Sequence, residues 1–208
     1  VNTTLFRPVG LYELELIWDL EMHAFPPRLP NQAIFYPVAN IDYAREIARG
    51  WNTKDSNSGF AGYVTSFDIE SSHLSRFEPH TVGSSVHAEY WIPANELNSF
   101  NQAIRGLIRL EEGFFGADFK GSVPNAFNLR AKDVTAQFVF LSKDWDYSRL
   151  DVWGEVYANR KAVFLNWLFW AQSDFSDAGI TEEKKRATLE NLRKCWEDHH
   201  IAVPLPKV

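Results

Sequence analysis

Val86-His87-Ala88-Glu89-Tyr90-Trp91-Ile92-Pro93 sets a single carboxylate, Glu89, inside a run of β-prone and aromatic residues. Runs of this composition read as strands with polar residues on one face, and an unpaired carboxylate is costly to bury. Glu89 therefore faces solvent, has a partner, or lines a site. Strand alternation places acids on solvent faces routinely, so the elements around Glu89 must decide between these readings.

Upstream, Thr3 to Val9 reads as a short strand carrying Arg7, and Leu11 to Leu20 as an amphipathic helix with Leu14, Ile17 and Trp18 on its apolar side. Phe25-Pro26-Pro27-Arg28-Leu29-Pro30 must be a stiff loop, because its prolines fix φ and remove backbone donors. Ala33 to Val38 reads as a strand. Asn40 suits the N-cap of a helix carrying Ala44, Ile47, Ala48 and Trp51, and Asn52 to Gly59 is a polar, turn-rich loop. Gly62 to Ile69 alternates as a strand, and Ser71 to Glu78 is irregular or a short helix. After the Glu89 strand, Pro93 to Ile104 reads as helix and Gly106 to Phe115 as a closing strand.

Gly116 to Asn128 is the best linker candidate, which divides the chain into residues 1–116 and 117–208. The second part is expected to be mainly helical. Asp151 to Asp174 reads as one long helix, apolar nearly all round between Val163 and Trp170, so it is central to a core or covered by a partner. A last helix begins at Thr181, with Glu182 and Glu183 in its first turn and Arg193 and Lys194 near its end, in agreement with the helix dipole. His199-His200 suit the same dipole at that end.

Residues 1–116 hold 8 Lys and Arg against 14 Asp and Glu, whereas residues 117–208 hold 13 of each. A net −6 on the first part disfavours generic nucleic-acid binding, so such a substrate would need a local groove. Cys195 is the one cysteine, which excludes an internal disulfide and a multi-cysteine zinc site and suits a reducing, cytoplasmic setting. It sits amid Leu192 and Trp196, as a packed rather than nucleophilic residue. No apolar run approaches the roughly 20 residues that span a bilayer, and the first residues lack a signal-peptide pattern. His73, His80 and His87 fall on different elements, so no metal site is expected.

The order of strand with Arg7, helix, strand with Phe35-Tyr36, helix with Ala44 and Ala48, strand Tyr63-Val64-Thr65-Ser66-Phe67 and strand with Glu89 resembles the ADP-ribosyltransferase fold. The segment from Leu5-Phe6-Arg7-Pro8-Val9-Gly10 through Pro26-Pro27-Arg28-Leu29-Pro30 is also similar to small bacterial ADP-ribosylation-related proteins. The resemblance covers about half the chain, residues 3–115. It implies an α+β protein with a split β-sandwich and flanking helices, followed by a mainly helical C-terminal region. By position, the family's basic, aromatic and acidic active residues become Arg7, Tyr36 and Glu89. The resemblance further implies NAD as substrate, with Arg7, Arg28 and Tyr36 as its contacts, and a toxin-like role in a toxin–antitoxin, antiphage or effector system.

The chemistry of NAD cleavage fits these residue types. Loss of nicotinamide leaves oxocarbenium character on the ribose, which a carboxylate stabilises mainly in the transition state. A guanidinium offers fork donors to phosphate or ribose, and a tyrosine ring offers a stacking face. His87 stands where arginine-modifying transferases carry a second acid, which disfavours an arginine acceptor. A single glutamate also occurs among DarT-like transferases that modify nucleic acid, so a nucleic-acid or protein acceptor stays open. A catalytically silent module binding through the same cleft, and RNA binding through exposed aromatics with Lys184-Lys185-Arg186, remain alternatives. The aromatic helix over 151–174 is a candidate antitoxin-docking or self-association surface.

Overall fold

Strand β1 (Asn2–Val9) runs antiparallel to the buried central strand β3 (Ala61–Glu70), and β3 pairs on its other side with β7 (Ile104–Phe115). Between β1 and β3 lie helix α1 (Leu11–Asp19), the short strand β2 (Ile34–Phe35) and helix α2 (Ile41–Gly50). After β3 come α3 (Ser71–Leu74), β4 (Pro79–Thr81), β5 (Ala88–Tyr90), β6 (Ile92–Pro93) and α4 (Leu97–Gln102). The computed structural model describes the backbone of residues 1–82, 87–143 and 149–208, and the side chains of these except 149–151. Val86, at the head of the Glu89 strand, lies outside the described residues.

Two bridges extend this sheet toward Glu89. Val38 pairs with Phe6 of β1 on one side and with Glu89 of β5 on the other. Its N–H and C=O bond to Phe6 at 2.8 and 2.9 Å, and the flanking Ala39 and Tyr90 N–H groups bond to Ala88 O and Pro37 O at 2.9 Å each. The segment Tyr36–Val38 is thereby a rung between the Arg7 strand and the Glu89 strand. Strand register, not sequence proximity, brings the two together.

Each face of the sheet has its own cover. Val64 packs with Val38, Tyr43, Ala44 and Ala48 under α2. A Cβ at Gly62 would lie 2.0 Å from the Ala48 carbonyl oxygen, so only glycine lets α2 settle this closely on β3. The opposite face carries Leu5, Val9, Tyr63 and Phe67, all buried. There Phe25, Phe35, Phe67 and Phe100 pack ring against ring at 4.8 to 6.0 Å. The proline loop is stapled to this cluster by Asn101, whose side chain accepts from Phe25 N–H at 3.0 Å and donates to Phe25 O at 2.9 Å.

The chain is thus an α+β protein, and it divides into two units, Val1–Phe119 and Lys120–Val208. In the second unit α5 (Val134–Leu141), α6 (Arg149–Ala158), α7 (Arg160–Gln172) and α8 (Glu182–Asp198) follow one another. The single helix expected over Asp151–Asp174 is two helices. Asn159 breaks it: its side-chain amide donates to the Glu155 carbonyl at 3.1 Å and to the Glu155 carboxylate at 3.1 Å, and its backbone leaves helical geometry at φ −111° and ψ 24°.

In α7, Ala162 to Leu168 and Trp170 are buried. Trp167 and Trp170 donate from their indole nitrogens to Pro206 O and Val134 O at 3.1 and 2.7 Å. The buried Asn166 amide bonds to both the N–H and the C=O of Ser122 and to Gln137. The second unit therefore covers α7 itself, which leaves the α6 side chains Trp153 and Tyr157 as exposed aromatics of that stretch. Lys185 is buried and pairs with Glu182 at 3.4 Å, so the Lys184-Lys185-Arg186 cluster is not a continuous exposed patch. Among the described residues no helix is long and apolar enough to cross a membrane.

Candidate active cleft

Arg7, Tyr36 and Glu89 line one cleft of about 520 Å³ in the first unit. Val38, Tyr43, Ile47, Trp51, Asn52 and Trp91 also line it. The volume lies within the usual range of small-ligand sites.

β1 alternation puts Arg7 on the same face as the buried Leu5 and Val9, so its cation must be compensated. Its side chain is only 11% exposed. Glu13, in the first turn of α1, supplies the counter-charge: Arg7 Nε and Nη2 reach its carboxylate at 3.1 to 3.3 Å. Nη1 donates to Tyr36 O at 3.0 Å, and the guanidinium lies 4.9 Å from the centre of the Phe35 ring. Arg7 thus ties α1, β1 and the Tyr36 segment together where they meet the cleft.

Arg28 is not part of the cleft wall. Its Nε donates to Ile34 O at 3.2 Å, and Nη1 lies 3.9 Å from the same Glu13 carboxylate that holds Arg7. Burial, followed by the nearby charge of Arg7, lowers the Arg28 pKa, while Glu13 opposes both. One carboxylate therefore serves two guanidinium groups. Arg28 stands behind the site as part of this triad.

Glu89 presents its carboxylate from β5. Oε1 accepts from Trp91 Nε1 at 2.7 Å and Oε2 accepts from the Tyr43 hydroxyl at 3.4 Å. Burial, then the Glu89 charge, raises the Tyr43 pKa, so its phenol stays a donor. His80, opposite Glu89 in register, stacks on Trp91 at 4.2 Å, and Trp91 meets the Tyr36 ring edge-on at 6.2 Å. Tyr36 is 38% exposed, so its ring is open to a ligand.

His87 does not face the cleft as a free base. It stacks on Tyr43 at 4.2 Å, and its two ring nitrogens lie 3.2 Å from Val82 O and 3.1 Å from the Glu46 carboxylate. It braces Tyr43, which in turn holds Glu89. Among the described residues no group of three or more His, Cys, Asp or Glu is placed to hold a metal ion.

Glu13, Tyr43 and Trp91 were not singled out from the sequence as site residues. The faint signal for Glu13 was an acid three residues after Gly10, which stands at the N-cap of α1. For Tyr43 it was the helical spacing with Ile47 and Trp51, which puts all three on one side of α2. Trp51 belongs to that cleft-facing stripe and not, with Ala44 and Ala48, to the packed face of the helix. Comparison with family models, curated proteins and solved structures found no match.

Proposed function

We propose that this chain is an NAD-dependent mono-ADP-ribosyltransferase with an ADP-ribosyltransferase-like first unit, acting on a nucleic-acid or protein acceptor. The observation that carries the reading is the meeting of Arg7, Tyr36 and Glu89, from three separate segments, in one cleft. In this reading Glu89 lies beside the ribose of NAD and accepts from a ribose hydroxyl. As the bond between C1′ and the nicotinamide nitrogen breaks, the electron pair leaves with nicotinamide, and the carboxylate stabilises the positive charge left on the ribose. The acceptor nucleophile then bonds to C1′ and releases its proton to solvent.

Tyr43 and Trp91 hold the carboxylate so that little reorganisation is needed at the moment of bond cleavage. Tyr36 offers a ring face to nicotinamide, and Arg7 keeps the Tyr36 segment in register while presenting a cation to the cleft. With both nitrogens of His87 engaged, acceptor activation by that residue is not part of this scheme. A role as toxin, with an antitoxin or a second copy docking on the second unit, follows from the resemblance alone.

One observation favours a second reading, a silent binding module: the Arg7 donors are largely taken by Glu13 and Tyr36 O. Labelled NAD offered to the intact protein with protein extract, RNA and DNA separates the two. Label on one acceptor class, absent with Glu89→Gln, supports the transferase. Free nicotinamide without labelled acceptor points to hydrolysis. NAD binding without turnover supports the silent module.

A further inference from the structure

We infer that Trp51 and Asn52 form an adenine subsite at the end of the cleft remote from Glu89. This inference rests on the NAD reading and adds to it the place where the second base is held. Seven of the eight tryptophans fall among the described residues. Trp167, Trp170 and Trp196 donate to backbone carbonyls, Trp91 donates to Glu89, Trp153 packs on His199, and Trp18 also has a partner. Trp51 is the exception. It is 70% exposed, and among the described residues no ring or cation packs on it and no acceptor meets its indole N–H.

Leaving a large aromatic ring bare at the mouth of a cavity sacrifices the burial that other tryptophans obtain. The neighbouring Asn52 repeats the pattern. Asn52 lines the same cleft, and among the described residues its side-chain amide has no hydrogen-bond partner. By contrast Ser58, beside it, is bonded to Asp55 at 2.9 Å. A free ring face next to a free carboxamide matches the chemistry of adenine: the ring stacks on the purine, while the amide accepts from the exocyclic amine and donates to a ring nitrogen.

Spacing supports the same assignment. Tyr43, which bonds Glu89, and Trp51 are eight residues apart on one side of α2, about 12 Å along the axis at 1.5 Å per residue. Arg7 and Tyr36 line the same cleft. A dinucleotide laid along the stripe Tyr43-Ile47-Trp51 has its reacting ribose at Glu89 and its adenine at Trp51.

Calorimetric titration of the full chain with NAD, AMP, nicotinamide mononucleotide and nicotinamide hypoxanthine dinucleotide tests this. Trp51→Ala is expected to weaken NAD and AMP by about 10- to 100-fold and to leave the mononucleotide unchanged, with Trp51→Phe restoring much of the loss. Asn52→Ala is expected to erase the preference for NAD over its hypoxanthine counterpart, which lacks the exocyclic amine. Because Trp51 has no packing partner, its substitution should leave the circular dichroism spectrum intact. Unchanged NAD affinity in Trp51→Ala, or an equal loss for the mononucleotide, overturns the subsite, as does a wild type that binds neither NAD nor AMP. Trp51-dependent AMP binding by a wild type that neither binds the mononucleotide nor turns over NAD sustains the subsite and refutes the transferase reading.

Discussion

Arg7 and Glu13 illustrate how one paired charge can be both a structural and a site element. With side chains 11% and 23% exposed, neither ion is fully solvated, and removing one leaves the other poorly compensated. Glu13 also stands 3.9 Å from Arg28, so its loss leaves two guanidinium groups facing each other. Glu13→Gln should lower stability by about 2 kcal/mol, read as a shift of the urea midpoint without a change in slope. An unshifted midpoint would show that solvent already screens the pair. Tyr43→Phe should behave differently. It deletes one donor to Glu89 at a cost of about 1 kcal/mol in stability, but in the transferase reading it frees the carboxylate to turn and lowers turnover by on the order of tenfold to a hundredfold. Equal turnover in the variant would assign the anchoring of Glu89 to Trp91 alone.

At the scale of elements, the seating of α2 on β3 decides where the cleft residues Tyr43, Ile47 and Trp51 stand. Gly62→Ala places a methyl group 2.0 Å from the Ala48 carbonyl oxygen, and because that atom belongs to the helix backbone, α2 must lift. A loss of about 3 kcal/mol or more is expected in thermal or urea unfolding, together with weakened ligand binding, since Tyr43, Ile47 and Trp51 move with the helix. The sheet has its own acid-sensitive staple. Asp68 of β3 accepts from Thr4 of β1 at 2.6 Å and pairs with Arg109 of β7 at 2.9 Å. Arg109, then Thr4, hold its carboxyl below the usual carboxylate range. A lowered folded-state value means that the stabilisation is present above the ordinary value near 4 and is lost as pH falls through the lowered value. The stability difference between the protein and Asp68→Asn should therefore be constant near neutrality and vanish toward strong acid. A difference that persists there would mean that the carboxylate charge contributes nothing.

These elements were unequally legible in the sequence. The cap of α2 could be read directly, because Asn40 accepts from Asp42 N–H at 2.7 Å as a side-chain oxygen at an N-cap should. The same holds for Thr181, which accepts from Lys184 N–H at the start of α8. α5 left no periodic trace, since Val134-Thr135-Ala136-Gln137-Phe138-Val139-Phe140-Leu141 is apolar on nearly every side. The break at Asn159 was hidden because it depends on which acceptor an asparagine amide finds. In the cleft, Arg7, Tyr36 and Glu89 were legible as residue types on three separate segments, whereas Glu13 was not. Its role depends on a pairing across the β1–α1 turn that no local pattern encodes.

Considered whole, the molecule keeps its cleft and its tryptophan-rich core in different units. Among the described residues, all that line the cleft lie within Val1–Phe119, and five of the eight tryptophans lie beyond it. Asn166 gives a way to disturb the second unit alone. It is fully buried, accepts from Ser122 N–H and donates to the Gln137 amide oxygen, so Asn166→Leu strands a buried N–H and a buried amide oxygen, while Ser122 O keeps its bond from Gln137. Each such group costs roughly 1–3 kcal/mol when left without a partner, enough to lower the unfolding temperature of that unit by several degrees. NAD binding by the first unit should survive at temperatures where the variant has lost the near-ultraviolet signal of Trp167 and Trp170. If binding disappears together with that signal, the second unit is required to keep the cleft in shape, and the acceptor must then be sought on both.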